Sequence, residues 1–188
     1  MDALLSALVG ALAAEWGDRS QLFVALLAAR SGRPAAVLAG AALAALAASL
    51  IAGWAAVAIA KVMPLDGARL FVALALLSAG AGGLFNRQTP DWGQGWRVPT
   101  LVTAAFCCFL LAFGDRSQFL TLAVAARFDA PLLAATGATI GVTLAAAPAA
   151  LLGSAFPSLL PHRAVQLVTA GLFLVLGGGV ALSALRLL

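Results

Sequence analysis

Six long apolar runs, roughly 3–30, 34–60, 66–85, 99–127, 131–156 and 163–186, leave this chain few ways to fold. A membrane helix needs about 20 mostly apolar residues, and each run supplies them. The breaks fall near Ser31–Pro34, Lys61–Asp66, Asn86–Pro99, Phe128–Pro131 and Pro157–Arg163. Each carries charge, proline or glycine, the usual punctuation between elements. Strands are excluded, because the runs are too long and lack period-two alternation. Their alanine and leucine content favours helix as well. A soluble fold fails on composition: the chain is 63% hydrophobic and 10% charged, against about 45–50% and about 25% for a soluble domain. The reading is an all-α integral membrane protein of six transmembrane helices.

The N-terminal stretch Met1–Ala14 has the apolar run and Ala-x-Ala-like end of a signal peptide. It lacks a basic lead segment and carries Asp2 instead, so we read it as the first half of a span. The formal net charge of +4 comes from basic residues scattered singly, mostly at the ends of apolar runs. That is the pattern of anchors and topology signals, and it gives no basis for nucleic-acid binding. Cys107 and Cys108 are adjacent within an apolar run, form no disulfide framework, and read as core thiols.

Shifted by 97 positions, the chain overlays on itself without a gap. Gly17-Asp18-Arg19-Ser20-Gln21 falls on Gly114-Asp115-Arg116-Ser117-Gln118, and Ala28-Ala29-Arg30 on Ala125-Ala126-Arg127. Pro34, Gly40, Pro64, Gly80 and Gly82 fall on Pro131, Gly137, Pro161, Gly177 and Gly179. One membrane domain over 1–188 therefore divides into repeat one (1–86), a linker (87–98, with Trp92 and Trp96 as interface anchors) and repeat two (99–188). Three spans per repeat is an odd number, so the second repeat enters the membrane from the opposite side. The expected architecture is two inverted three-helix repeats, a recurrent plan of secondary transporters with the site between the repeats.

Charges sit where they are expensive: Glu15, Asp18 and Arg19 in the first run, Asp115 and Arg116 in the fourth. Each costs about 2.5–3.5 kcal/mol at the bilayer centre, and all five on the order of 12–18 kcal/mol if they faced lipid. They must face one another, water or a ligand. On a continuous helix Glu15, Asp18 and Gln21 follow a three-residue step and share a face, as do Asp115 and Gln118. Gly17 and Gly114 are able to relax or break the helix and expose carbonyls. With Ser20 and Ser117 these groups make an oxygen-only shell, suited to Ca²⁺ or Mn²⁺ rather than Zn²⁺ or Cu⁺. The candidate metal ligands are Glu15, Asp18, Gln21, Asp115 and Gln118. Neither His nor Cys lies in the motifs, and His162 reads as a loop residue.

Three carboxylates and two guanidinium groups leave the site near −1, and a divalent cation would bring it to about +1. Proton uptake would neutralise it instead, so Glu15, Asp18 and Asp115 are also the proton-coupling candidates. Arg19 and Arg116 are expected to pair with a carboxylate or reach the interface. Thr136, Thr139 and Thr143 either add hydroxyls to the cavity or bond to their own helix. Gly137 with Gly141 and Gly40 with Ala44 read as close-packing features, and the run Gly177–Gly179 as a close-packing feature or a hinge. No Ser/His or H-E-x-x-H arrangement points to an enzyme.

Glu15-Trp16-Gly17-Asp18-Arg19-Ser20 matches the pattern E-x-G-D-[KR]-[ST] in full, and the chain resembles the Gdt-type cation/proton antiporter family. That family includes Golgi manganese and calcium transporters and bacterial manganese exporters. The resemblance spans the whole chain and implies two inverted three-helix repeats, each with one motif. It implies export of Mn²⁺ or Ca²⁺ in exchange for protons, with coordination by Glu15, Asp18 and Asp115. The second motif departs from the pattern: Ala112 stands where glutamate is expected. The implied surroundings are membrane lipid, a divalent cation and protons, in a bacterial inner membrane, with no resident cofactor. The residues alone also admit a transporter of another cation or small solute, or a non-transporting membrane subunit with structural ion pairs.

Overall fold

A computed structural model of the chain describes residues 1–61, 65–85, 97–159 and 161–185. Most of the linker, with Trp92 and Trp96, lies outside the described residues, as do Pro64, Arg87 and Arg186. Among the described residues every regular element is helical: α1 (Asp2–Glu15), α2 (Arg19–Ser31), α3 (Pro34–Ala60), α4 (Leu65–Leu84), α5 (Thr100–Ala112), α6 (Arg116–Phe128), α7 (Pro131–Leu152), a 3₁₀ turn (Gly153–Ala155), α8 (Phe156–Leu159) and α9 (His162–Ala184). Pro34 and Pro131 sit in the first turns of α3 and α7, where a missing N–H costs nothing. His162 heads α9 and is not a loop residue.

Four stretches are long and apolar enough to cross a bilayer: Pro34–Ala60, Gly67–Leu84, Pro131–Leu159 and Arg163–Ala184. The first and fourth apolar runs are not continuous helices, which corrects the sequence expectation. The first is split into α1 and α2, of 14 and 13 residues. The fourth is split into α5 and α6, bent by 69° at the break, and makes a fifth span if the pair is counted as one. A 14-residue helix is about 21 Å long, short of the roughly 30 Å hydrocarbon core, so each half-helix needs its partner to cross. The breaks lie at the duplicated glycines, Gly17 (φ 79) and Gly114 (φ 74). The left-handed region suits glycine, which lacks a Cβ, and a single such residue stops the helix.

The interior is built mainly from alanine, including Ala14, Ala41, Ala104, Ala134, Ala138 and Ala149, while Trp54, Leu74, Leu151 and Val175 are exposed on the outside. Small residues inside let helix backbones approach closely, while the large apolar side chains on the outside are those that a bilayer would accept. The closest approaches come in reciprocal pairs. A Cβ on Gly40 of α3 would lie 2.6 Å from the carbonyl oxygen of Leu101 on α5. One on Gly137 of α7 would meet the carbonyl oxygen of Leu4 on α1. Gly80 of α4 faces Leu174 of α9, and Gly177 of α9 faces Leu77 of α4. The 97-residue shift turns each contact of a pair into the other. Gly178 and Gly179, by contrast, meet nothing within 4 Å of a built Cβ, so close packing in that run belongs to Gly177 alone.

One contact lacks its counterpart. α6 packs along α4, whereas α9 makes no comparable contact with α2, which instead lies against α7 and the 3₁₀ turn.

Candidate cation site

The helix breaks build the site. Glu15 is the last residue of α1, and Asp18 and Asp115 are the N-caps of α2 and α6. Asp18 caps in the ordinary way, its Oδ2 accepting from the Ser20 backbone N–H at 3.4 Å. Glu15, Asp18 and Gln21 do not share one face of a continuous helix as the sequence suggests, because the helix is broken between Glu15 and Arg19. The turn at Gly17 brings them together instead.

Glu15, Asp18 and Asp115 are buried, each 4% exposed. Each offers a carboxylate oxygen, and the three oxygens lie within 4.8 Å of one another. At that separation two like charges repel by roughly 3.5 kcal/mol per pair at an effective dielectric near 20. Glu15 stands at the centre of the hydrogen bonding. Ser117 Oγ donates to its Oε1 at 2.7 Å, and Ser20 Oγ donates to its Oε2. The two serines, one from each motif, thus converge on one carboxylate. Arg116 reaches from the second motif to the first, its Nη2 donating to Asp18 Oδ1 in a buried ion pair. Arg19 is half-buried, and its buried Nε has no hydrogen-bond partner.

Gln21 and Gln118 serve the breaks. Gln21 accepts from the Gly17 N–H at 2.8 Å and donates to Ala145 O at 2.6 Å. Gln118 accepts from the Gly114 N–H at 2.7 Å and donates to Ala48 O at 3.4 Å. Each glutamine thus satisfies an N–H that the broken helix leaves open and ties the turn to a neighbouring helix. The oxygen and the nitrogen of each amide thus bond to the backbone, and of these two candidate ligands only Gln21 lines the adjoining cavity.

A cavity of about 30 Å³ adjoins the carboxylates. Glu15, Ser20, Gln21 and Asp115 form its polar wall, and Ala112 and Cys108 line it from α5. Asp18, turned to Arg116, does not line it. The lining also lacks Thr136, Thr139 and Thr143. Their hydroxyls donate to Leu133 O, Ala135 O and Thr139 O within α7. A hydroxyl on a membrane helix finds its nearest acceptor one turn back, and these three do so. Cys108 packs in the apolar core, as the sequence suggests; that it also lines the cavity was not read from the sequence. The available signal was its position four residues before Ala112, one helical turn along the same face.

The family described as "Divalent cation/proton antiporter GDT1" matches residues 3–91 and 100–187. A protein of Vibrio cholerae serotype O1 named "Putative manganese exporter" is 32% identical over 165 residues, which cover 87% of this chain and 82% of that protein. No solved structure matches the chain.

Proposed function

Because this chain belongs to the GDT1 family of divalent cation/proton antiporters, we propose that Glu15, Asp18 and Asp115 are the groups on which it exchanges its cation for protons. The protein is a multi-pass membrane transporter and not an enzyme. The observation that carries the site assignment is the meeting of three buried carboxylate oxygens from the two motifs within 4.8 Å. So close a set is neutralised by a divalent cation or by protons, and either occupant removes the need for the other. That competition is the minimum chemistry of an exchanger.

The donors are hard oxygens: three carboxylates with the hydroxyls of Ser20 and Ser117 beside them. Such a set takes Mn²⁺ or Ca²⁺ in preference to thiophilic ions. We assign Mn²⁺ as the exported ion, a choice that the name of the Vibrio relative supports, and Ca²⁺ as the ion to compare with it. The carbonyl end of α1 at Glu15 favours a cation, whereas the N-terminal ends of α2 and α6 favour the ionised carboxylates of Asp18 and Asp115 that cap them.

The architecture we propose is six crossings in two inverted repeats, with α1–α2 and α5–α6 each making one broken crossing, in a bacterial inner membrane. The reciprocal glycine contacts support it, since exchange of partners under one shift is what a pseudo-two-fold axis produces. The family match on either side of the linker supports the duplication.

The test is reconstitution in liposomes carrying a Mn²⁺-quenched dye and a pH dye. Mn²⁺ flux that moves protons the opposite way, and is lost in Glu15→Gln, is the expected result. Mn²⁺ flux without proton movement, or full exchange by Glu15→Gln, overturns the assignment.

A further inference from the structure

Resting on that reading of the carboxylates, we propose that Arg116 is a tethered counter-ion. Its guanidinium holds Asp18 between cargo ions, and a divalent cation gains Asp18 only by displacing it.

Three observations converge on this. The ion pair crosses between the motifs and is closed to water, with both side chains 6% exposed. Asp18 is the one carboxylate of the three that does not line the cavity, whereas Glu15 and Asp115 do. An ion entering the cavity therefore meets two carboxylates, with the third occupied by an internal cation. Finally, Arg116 is held lightly on its other side. Nη1 is buried without a hydrogen-bond partner, a condition that costs free energy and favours departure.

The arginine also has a seat of its own. A Cβ built on Gly82 of α4 would rest 3.5 Å from Arg116 Cδ and 3.6 Å from Cγ, and one on Gly83 would lie 3.1 Å from Nη1. The glycines leave a smooth floor along which the side chain lies. In the other repeat the corresponding positions are Gly179 and Val180. Gly179 meets nothing within 4 Å, and α9 makes no contact with α2 to match that of α4 with α6. The tether is thus built into one half of the molecule, with valine filling the position that glycine leaves open in the other.

A guanidinium cannot be discharged at any ordinary pH, so it is a counter-ion that responds to cargo and not to protons. Its presence on Asp18 weakens cation binding and assists release, which an exporter requires.

The test is titration of the detergent-solubilised full chain with Mn²⁺, following the spectrum of the free ion. Arg116→Gln removes the competitor and keeps a hydrogen-bonding side chain. It should bind Mn²⁺ roughly ten-fold tighter or more, with slower exchange in liposomes, while Arg116→Lys stays near the wild type. A purely structural pair predicts the reverse, since its loss loosens the site. If Arg116→Gln does not yield monodisperse protein, Gly82→Val fills the seat and should tighten binding in the same direction. Equal or weaker affinity in the variant that folds overturns the tether, while Mn²⁺ binding that is lost in Glu15→Gln leaves the exchange site standing. A wild type that binds no Mn²⁺ overturns both.

Discussion

At the scale of single residues, Glu15 combines two tasks. It accepts from Ser20 and Ser117, one from each motif, and it faces the cavity. Glutamine at this position keeps the size but cannot carry the charge that a cation or proton would neutralise. Glu15→Gln should therefore reduce coupled exchange to background in the liposome assay. Asp18→Asn and Asp115→Asn should weaken Mn²⁺ binding by at least roughly ten-fold, as loss of one charge from a desolvated site implies. Under the proposed competition of ion and proton for the same oxygens, Mn²⁺ affinity of the wild type should fall as the pH is lowered. Titrations at two pH values check that direction. Ala112 lines the same cavity from α5, where the motif pattern has glutamate. Ala112→Glu should then tighten Mn²⁺ binding or raise the number of protons released per ion. No change in either quantity would mean that the fourth carboxylate stays protonated or is held away.

At the scale of elements, the two broken helix pairs, α1–α2 and α5–α6, depend on one backbone conformation each. A Cβ at Gly114 would meet nothing within 4 Å, so the cost of Gly114→Ala is conformational, about 1–2 kcal/mol for a left-handed alanine. Gly137→Ala acts through packing: its Cβ would overlap the carbonyl oxygen of Leu4, backbone that cannot easily yield. Overpacking of this kind costs about 1–3 kcal/mol or more. Gly179→Ala is the matched control. It sits in a helix with open space around it, and should be neutral or stabilising by up to about 1 kcal/mol. Thermal unfolding of the three variants in one detergent gives the order: Gly137→Ala and Gly114→Ala below the wild type, Gly179→Ala at or above it.

At the scale of the whole molecule, the basic residues at the two ends of the bundle predict its orientation. Under the proposed six crossings, the sequence order would assign Arg30, Arg33, Arg87, Arg97 and Arg163 to one side and Lys61, Arg69, Arg127 and Arg186 to the other. The described structure groups several of them accordingly. Arg163 donates to Leu84 O near the start of the linker, and Arg127 lines one opening with Lys61 and Asp129 and another with Arg69. The five-residue end should face the cytoplasm under the positive-inside rule, with both termini on the far side. A reporter that is active only in the cytoplasm, fused to the C-terminus, should stay silent. A signal from it would reverse the orientation and, with it, the direction of export.

The helices and the membrane setting were legible in the sequence because they follow from local chemistry. A run of alanine and leucine bounded by proline and charge forms a helix in lipid whatever its neighbours do. The carboxylate cluster was legible for a related reason: a buried charge is too costly to stand alone, and the same five-residue string occurs twice. The details beyond that depended on contacts between residues far apart in the chain. Glycine is tolerated in membrane helices, so Gly17 and Gly114 by themselves did not settle whether the runs bend or break. The breaks became certain only with the glutamines that brace them on Ala145 and Ala48. Likewise nothing near Arg116 in sequence favours Asp18 over Asp115. Its choice follows from the docking of α6 on α4 and the glycine floor at Gly82 and Gly83. Composition and periodicity determine which groups must leave lipid; only the packing of the two halves decides which of those groups meet, because partner selection is a property of distance in space and not of spacing along the chain.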